Sequence, residues 1–402
     1  MKLIKRPFYL EKLRLLKGEH LIKVIAGVRR SGKSTLFKLF INELKEKVPP
    51  DQILQYNFED AQNSKYCEDW FLLHKEILEQ TSQDKPYYLF FDEIQQVKNF
   101  EKLIDSLQLR DNFDIYITGS NSYMLSGELS TLLTGRYIQI DVLPFSFTEY
   151  LNFFEDKSRT DILFQKFLNY GGFPQAITLQ KIDPNLTADY HTDLYKSIIQ
   201  KDIKKRFKFT AKNSFEIITK FLFDSIGSEI SANNIKEHMS KEGIKLSTHT
   251  VLKYISALSQ SFIFYSAQRY DTKGKRLLKT QSKFYAVDTG LRNSLLARPS
   301  GQDLGHLLEN IVFLELKRRG GQVYIGKAGN KQVDFIHKDK QGFITYYQVS
   351  YSVRDLTTLE RELSAFKAIK DANPKILLTM DAEEPVHNGI RQINAINWLL
   401  NA

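Results

Sequence analysis

The sequence predicts an α/β protein whose first part is a parallel sheet built around a glycine-containing loop. The apolar run 21–26 has the length of a buried strand, a glycine-containing loop follows at 27–35, and apolar residues then recur at helical spacing from Leu36 to Leu44. More strand-length apolar runs alternate with amphipathic stretches, at residues 53–58, 87–93, 114–118 and 137–142. This alternation is typical of a parallel sheet covered by helices.

The loop Gly27-Val28-Arg29-Arg30-Ser31-Gly32-Lys33-Ser34-Thr35 matches the pattern G-x-x-x-x-G-K-[ST] completely. Backbone N–H groups of residues 29–34 are expected to point at nucleotide phosphates, at the positive end of the following helix. Lys33 is expected to reach the β- and γ-phosphates, and the Ser34 hydroxyl to ligate Mg²⁺. The predicted nucleotide-binding residues are Gly27, Arg30, Ser31, Gly32, Lys33, Ser34 and Thr35. The alternative is a chance match on a glycine turn, which the flanking strand and helix disfavour.

Two carboxylates, Asp92 and Glu93, end the apolar run that begins at residue 87. A carboxylate at the carboxyl end of a parallel strand beside the phosphate loop can hold Mg²⁺ through water, and we predict this role for Asp92. Glu93 is the candidate general base that polarises the attacking water. The alternative is two solvent-exposed acids at a strand end, and the complete phosphate loop favours the catalytic interpretation.

Two further residues are candidates for phosphate contact. Asn121 follows the strand 114–118, where a polar side chain can hydrogen-bond the γ-phosphate or the attacking water, although Gly-Ser-Asn is also ordinary turn sequence. Arg136 precedes the strand 137–142. It either reaches a phosphate, in its own or a neighbouring subunit, or forms a surface salt bridge, and the sequence leaves these alternatives open.

The composition is that of a globular protein of two or three domains. Of 402 residues, 42% are apolar and 26% charged, and no apolar run approaches the ~20 residues of a membrane-spanning helix, so we expect no membrane partner. One cysteine, Cys67, excludes an internal disulfide framework and suits the cytoplasm. The net charge of +10 fits a polyanionic partner such as DNA, or else ordinary solvated lysine.

The order of the motifs resembles the AAA+ superfamily. Gly27–Ser34, Asp92-Glu93, Gly119-Ser120-Asn121, Thr134-Gly135-Arg136 and Leu143-Pro144-Phe145-Ser146 follow one another along the chain. More narrowly, the chain resembles prokaryotic AAA+ ATPases that carry an uncharacterised, nuclease-like C-terminal domain. The resemblance implies ATP and Mg²⁺ as cofactors, Lys33 and Ser34 on phosphate and metal, Asp92 on the metal, Glu93 as base, Asn121 as polar sensor and Arg136 as arginine finger. The resemblance also suggests homo-oligomers as partners, although no residue of the sequence indicates them.

Four parts are expected along the chain. Residues 1–145 form the P-loop ATPase core, opened by an amphipathic leader helix with Phe8, Leu10, Leu13 and Leu16 on its apolar face; residues 146–212 form a helical lid or linker. Residues 213–295 are predicted to form a winged helix, and residues 296–402 a restriction-endonuclease-like α/β domain.

The winged-helix prediction rests on three helices, 214–226, 232–242 and 248–260, followed by a basic hairpin. In such a domain the third helix enters the major groove and the hairpin contacts phosphates. The DNA-contact candidates are Lys253, Lys273, Lys275, Arg276 and Lys279. The alternative is a winged helix that serves only to pack against protein.

The C-terminal segment carries part of a nuclease pattern. A helix carboxylate, a strand aspartate and an [E/Q]-x-K strand would be needed, and Glu309, Asp334 and Gln348 fit the first three places. Ser350 stands where the lysine is expected, and the sequence does not show whether Lys317 or Lys331 replaces it. We therefore expect a degenerate site in a fold kept for binding or scaffolding.

Together these patterns predict an Mg²⁺-dependent ATPase that couples its nucleotide state to a DNA-associated C-terminal half. One alternative is a slow ATPase that acts as a signalling switch and presents that half to a protein partner. A further alternative is an ATP-gated, Mg²⁺-dependent nuclease.

Overall fold

The computed structural model describes residues 3–122, 135–154, 157–204, 207, 212–272, 274, 276–298, 301–329 and 331–401. The chain divides into two compact units. The first comprises Met1–Pro144 with Gln260–Phe262, and the second comprises Phe145–Ser259 with Ile263–Ala402.

The first unit contains the predicted parallel sheet. Its five strands each lie within one residue of the predicted bounds: β1 (Ile22–Ala26), β2 (Ile53–Asn57), β3 (Tyr87–Asp92), β4 (Phe113–Gly119) and β5 (Tyr137–Asp141). They pair in parallel in the order β2-β3-β4-β1-β5. The α/β fold class is thereby confirmed for this unit. One strand, β4, lies between the strand that precedes the phosphate loop and the strand that ends in Asp92.

Successive residues of a strand point to opposite faces of a sheet, and the central strands here are buried throughout. Both faces of this sheet are therefore covered, and helices cover them. The helices are α1 (Pro7–Leu15), α2 (Lys33–Lys45), α3 (Trp70–Gln80) and α4 (Phe100–Gln108). Val24, Leu89 and Ile117 belong to the core that contains residues of α3 and α4. Ile25 and Phe90 belong to the core that contains residues of α1 and α2.

The leader forms the predicted helix, but the prediction that Phe8 belongs to its apolar face is wrong. Helix α1 buries Tyr9, Leu10 and Leu13, whereas Phe8 is 37% exposed. Tyr9 is favoured inside because its hydroxyl accepts a hydrogen bond from the Leu143 backbone N–H at 3.2 Å, which satisfies a buried polar group.

The second unit is rich in helices, as predicted for its first part. They are α5 (Phe147–Leu151), α6 (Thr160–Tyr170), α7 (Pro174–Gln180), α8 (Pro184–Ile198), α9 (Lys212–Asp224), α10 (Ala232–Lys241), α11 (Thr248–Gln260), α12 (Thr289–Leu296), α13 (Leu304–Arg319), α14 (Leu356–Lys367) and α15 (Ala395–Leu400). Helix α8 begins at Pro184 because Asp183 caps it and Pro184 occupies its first turn.

A mixed nine-stranded sheet runs through the second unit. Its strands are β6 (Glu229–Ile230), β7 (Phe264–Asp271), β8 (Arg276–Ala286), β9 (Gln322–Ala328), β10 (Lys331–Lys338), β11 (Ile344–Val349), β12 (Lys375–Thr379), β13 (Val386–His387) and β14 (Ile390–Asn394). They lie in the order β13-β14-β12-β11-β10-β9-β7-β8-β6.

Parallel pairing of β7 with β9 joins the predicted winged-helix hairpin to the strands predicted to be nuclease-like. Strand β8 begins at Arg276, since Arg276–Leu278 pair with Arg269–Asp271 of β7. The winged-helix and nuclease-like assignments, and the four-part division of the chain, stay predictions.

No helix within the described ranges is long and apolar enough to cross a membrane.

The break Gly171-Gly172 between α6 and α7 lets α12 approach closely. Gly171 has a φ of +74° and lies against the Asp288 carboxylate, which accepts hydrogen bonds from Gly172 N at 2.6 Å and from Leu291 N at 2.8 Å and so caps α12. A Cβ at Gly172 would lie 2.5 Å from the Phe145 carbonyl oxygen. Glycine is therefore required at position 172 because a side chain has no room there.

Replacing this glycine tests the packing. We expect Gly172→Ala to destabilise the folded protein by about 1–3 kcal/mol, because an overpacked backbone contact must open. Thermal unfolding measures the loss as a lower midpoint. The control is Gly305→Ala in α13, where an added Cβ meets nothing within 4 Å and the midpoint should stay or rise. Equal midpoints for both variants would contradict this account of Gly172.

Candidate functional site

The phosphate loop has a backbone shape that its sequence makes accessible. Gly27, Arg30 and Gly32 have positive φ angles of 155°, 67° and 97°. A Cβ at Gly27 would lie 2.2 Å from the Val142 carbonyl oxygen, so only glycine fits between the loop and the residue after β5. The loop ends at Lys33, the first residue of α2. Strand, loop and helix therefore follow one another as predicted.

Lys33 and Ser31 line the inside of this loop. The buried Lys33 ammonium donates to the carbonyl oxygens of Gly27 at 2.9 Å and Val28 at 3.2 Å, and lies 3.7 Å from Glu93 Oε1. The Ser31 hydroxyl is buried and has no hydrogen-bond partner. A buried polar atom without a partner is costly, and a phosphate oxygen in the loop would supply one. These residues fit a nucleotide phosphate.

Asp92 sits at the end of β3 in contact with two hydroxyl groups. Thr118 Oγ1 donates to Asp92 Oδ1 at 2.6 Å, and the Ser34 side chain also hydrogen-bonds the carboxylate. Burial raises the pKa of Asp92 above its ordinary value, and the two hydroxyl hydrogen bonds oppose that change. A serine hydroxyl beside a carboxylate is the oxygen donor set that Mg²⁺ takes in nucleotide sites, so the predicted metal ligands fit the ion.

Glu93 is buried beside Lys33 rather than exposed at a strand end. Its backbone has a φ of +54°, and its N–H donates to Thr118 Oγ1 at 2.8 Å. Its carboxylate accepts a hydrogen bond from the Gln95 amide. The unusual backbone angle is held by contacts on both sides, as occurs where a side chain must be aimed. This arrangement places a carboxylate near the phosphate loop, where a general base is needed.

The tip of β4 lies between these groups because β4 separates β1 from β3. Ala26 pairs with Gly119, so Ser120 and Asn121 follow at the same edge of the sheet as the phosphate loop. Asn121 is buried, and the Ser120 hydroxyl accepts from the Gln95 amide at 3.4 Å. The sensor role of Asn121 stays a prediction, in a position compatible with it.

Thr118 was not predicted, although it holds both carboxylate residues in place. One hydroxyl group accepts from the Glu93 N–H and donates to Asp92, so it fixes the peptide of one residue and the side chain of the other. The signal for Thr118 in the sequence was a hydroxyl-bearing residue at the end of a buried strand. Its partners lie on another strand, which the sequence pattern does not reveal.

Arg6 was also missed. Its guanidinium is fully buried, donates to the carbonyl oxygens of Ser31 at 3.0 Å and Leu143 at 2.9 Å, and lies 4.5 Å from the centre of the Tyr9 ring. It thus ties the leader to the back of the phosphate loop. A second arginine, Arg29, holds the loop from the side of β2 through an ion pair with Glu59 at 2.7 Å. The only signal for Arg6 was a cation in an apolar leader.

Arg136 lies away from the phosphate loop of its own chain. Its carbonyl oxygen accepts from Ile22 N, at the edge of the sheet where the strands begin, whereas the phosphate loop follows where β1 ends. Its side chain forms an exposed ion pair with Asp105 at 3.2 Å. Contact with a phosphate in its own subunit does not agree with this position, because the length of β1 separates the two edges. A role in a neighbouring subunit stays a prediction.

The structure describes only some of the DNA-contact candidates. Lys253 on α11 and Arg276 at the start of β8 are exposed. Lys273 and Lys275 lie outside the described residues, as does the side chain of Lys279.

The second unit brings together three of the four predicted nuclease-site residues. Glu309, Asp334 and Gln348 converge, and Gln348 Oε1 accepts from Asp334 N at 3.2 Å. Ser350 does not join them, since its hydroxyl donates to the Ser352 carbonyl oxygen at 3.1 Å. The lysine at this cluster is Lys283 of β8, 2.8 Å from Glu309 Oε1 and 3.5 Å from Asp334 Oδ1.

The two lysines considered from sequence are placed elsewhere. Lys317 lies over the Tyr265 ring, 4.8 Å from its centre, and Lys331 is exposed at the start of β10. Lys283 was not predicted because its strand lies in the segment expected to form the winged helix, a different domain from the other residues of the cluster. Glu362 of α14 was missed as well, and its carboxylate accepts from the Gln348 amide at 2.7 Å.

The contact of Arg6 with the phosphate loop can be tested by removing its charge. We expect Arg6→Met to weaken nucleotide binding about tenfold, because two buried carbonyl groups lose a charged donor. Titration with a fluorescent ATP analogue measures the affinity. Arg14→Met is the matched control, since Arg14 is exposed and pairs only with Glu11 and Glu43. Unchanged affinity in a folded Arg6→Met variant would contradict this role.

The hydroxyl of Thr118 makes a prediction about pH. Its hydrogen bond lowers the pKa of Asp92, so Thr118→Val should leave that pKa still higher. The carboxyl is then protonated at higher pH, and turnover at limiting Mg²⁺ should fall off at higher pH than in the wild type. Thr118→Ser keeps the hydroxyl and should keep the wild-type profile. If the acid limb of the pH profile of Thr118→Val coincided with that of the wild type, the proposed effect of Thr118 on the pKa of Asp92 would be contradicted.

Comparisons with known proteins agree with this geometry. Residues 19–151 match an AAA domain, and residues 162–302 match a domain of unknown function (DUF8612). An uncharacterised protein of Haemophilus influenzae is 38% identical over 405 residues, with 99% of each chain covered. An uncharacterised protein of Methanocaldococcus jannaschii is 31% identical over 366 residues, which is 87% of this chain and 79% of the other.

Among solved structures, a Walker-type ATPase of Pyrococcus abyssi aligns with a TM-score of 0.51 at 13% identity, over 73% of this chain and 95% of the other. This likeness concerns the fold alone. The chain therefore belongs to one family with the two uncharacterised proteins, and residues 19–151, which match an AAA domain, contain the parallel sheet of a P-loop ATPase fold.

Proposed function

We propose that this protein is an Mg²⁺-dependent ATPase whose nucleotide state acts on a DNA-associated second unit. The observation that carries the ATPase proposal is the meeting of Lys33, Ser34, Asp92 and Glu93 at one edge of the parallel sheet. A structural ion pair alone would not need a second buried carboxylate, a metal-ligating hydroxyl and a glycine loop at the same place.

Each residue has a distinct part in this proposal. The loop N–H groups and the Lys33 ammonium bind the phosphates, for which Lys33 exchanges its bonds to the loop carbonyl groups. Bound Mg²⁺ would neutralise charge that develops on the phosphate oxygens, with Ser34 and Asp92 as its protein contacts. Glu93 accepts a proton from the attacking water. Thr118 fixes the distance between the metal-binding and the basic carboxylate.

Features of the second unit and the net charge of the chain support DNA as the partner. The segment from α9 to β8 has the element order of a winged helix, and β6 pairs with β8 in an antiparallel fashion. His249 and Lys253 are exposed one helical turn apart on α11, and Arg276 is exposed where β8 begins. The chain carries a net charge of +10. These features favour a polyanion as the partner.

Steady-state ATP hydrolysis with Glu93→Gln tests the enzymatic proposal. The variant keeps the shape of the side chain but loses its basicity, so we expect nucleotide binding to persist while turnover falls at least about 100-fold. Glu79→Gln, an exposed exchange on α3, is the matched control and should keep full turnover. Wild-type turnover in Glu93→Gln would remove Glu93 as the base.

Adding duplex or single-stranded DNA to the same assay separates the two candidate roles of the second unit. DNA stimulation, lost when Lys253 and Arg276 are replaced by glutamate, supports the DNA-associated ATPase. The double variant should also flatten the salt dependence of DNA binding by about one unit of slope per lost contact. Slow turnover that ignores DNA would instead favour a switch that presents the second unit to a protein partner.

A further inference from the structure

Lys283 occupies the centre of the nuclease-like cluster in the second unit. Its ammonium group lies 2.8 Å from Glu309 Oε1 and 3.5 Å from Asp334 Oδ1. The Gln332 amide, oriented by its hydrogen-bond partners, accepts from the same ammonium at 2.8 Å and donates to Glu229 Oε1 at 2.6 Å. Three oxygen atoms thus surround one cation, which leaves none of the three ammonium hydrogens without an acceptor.

At least one oxygen atom of each predicted ligand, Glu309, Asp334 and Gln348, already accepts a hydrogen bond from the protein. Glu309 Oε1 also accepts from the Tyr285 hydroxyl at 2.8 Å, and Asp334 Oδ2 accepts from Val349 N at 3.0 Å. Gln348 turns its oxygen to Asp334 N and its amide nitrogen to Glu362. Within the described residues, no group of three or more His, Cys, Asp or Glu side chains is arranged to hold a metal ion.

The cluster has little contact with solvent. The side chains of Lys283, Glu309 and Asp334 are 5%, 10% and 11% exposed. Burial lowers the pKa of Lys283, but attraction to Glu309 and Asp334 outweighs it and leaves that pKa above its ordinary value. Contact with two buried carboxylates favours the charged form of the lysine. Its backbone is fixed too, because it pairs with Glu229 of β6 and Ala267 of β7.

We propose that the ammonium group of Lys283 takes the place of the divalent metal ion in the nuclease-like site, so that the second unit binds no Mg²⁺ there and cleaves no phosphodiester. A metal ion would have to expel a charged side chain anchored in the middle of β8. The cation instead joins α13 and β10, which supply Glu309 and Asp334, to the hairpin that supplies Lys283. Mg²⁺ dependence of the whole protein then comes from the phosphate loop alone.

Binding of Mn²⁺ alone, followed by electron paramagnetic resonance of the free ion, tests this proposal. Every protein carries Asp92→Asn so that the phosphate-loop site contributes no metal. In that background we expect no bound Mn²⁺ at the second unit. Adding Lys283→Met should expose two carboxylates and create one site per chain, at least about tenfold tighter than any binding before the exchange. Asp334→Asn in the same protein should abolish it.

Lys331→Met is the matched control, since this exposed lysine of β10 does not touch the cluster, and it should create no site. Thermal unfolding gives a second readout: Mn²⁺ should raise the midpoint of the Lys283→Met variant and leave that of the control unchanged.

If Lys283→Met does not fold, a second comparison of variants replaces it. The Asp92→Asn protein is then compared with the same protein carrying Glu309→Gln and Asp334→Asn, by Mn²⁺ binding and by cleavage of plasmid DNA with Mg²⁺. We expect no bound ion and no cleavage in either. A Mn²⁺ ion or a nicking activity that the two exchanges remove would overturn the proposal and make Lys283 the lysine of an active nuclease.

Discussion

The hydroxyl group of Thr118 is the contact on which the candidate ATPase site depends most. It donates to Asp92 and accepts from the backbone of Glu93, so one side chain at the tip of β4 sets the positions of the two carboxylate residues at the end of β3. This is possible because β4 lies between β1 and β3, which brings its tip between the phosphate loop and the acids. Strand order, rather than any single motif, assembles the site.

The same reasoning explains why the second unit keeps charges in its interior. Buried ion pairs rarely add stability over apolar packing, and they persist where they fix one arrangement of elements. Lys283, Glu309 and Asp334 come from β8, α13 and β10, and Gln332 links the cluster to Glu229 of β6. The cluster thus joins the hairpin, the helix and the central strands within one sheet-bearing unit.

Local patterns predicted the phosphate loop and the five strands because each is encoded within one contiguous segment. Glycine spacing specified the loop, and buried apolar runs specified strands to within one residue. Contacts distant in sequence could not be predicted: Arg6 meets Ser31 across 25 positions, and Lys283 meets Asp334 across 51. The contacts of Arg6 and Lys283 depend on the order of the strands and, for Lys283, on one sheet that spans two predicted domains. Arg136 shows the converse, since its motif position suggested a phosphate contact that sheet topology removes within its own subunit.

The central claim is that the loop around Lys33 binds ATP, and calorimetric titration of ATP with Mg²⁺ tests it most directly. The account predicts one ATP per chain for the wild type and no measurable binding for Lys33→Ala, because the Lys33 ammonium is the proposed charged contact with the phosphates. Lys38→Ala, an exposed exchange on the same helix, should bind as the wild type does. Wild-type affinity in a folded Lys33→Ala protein would contradict the assignment of the loop and, with it, the proposed ATPase.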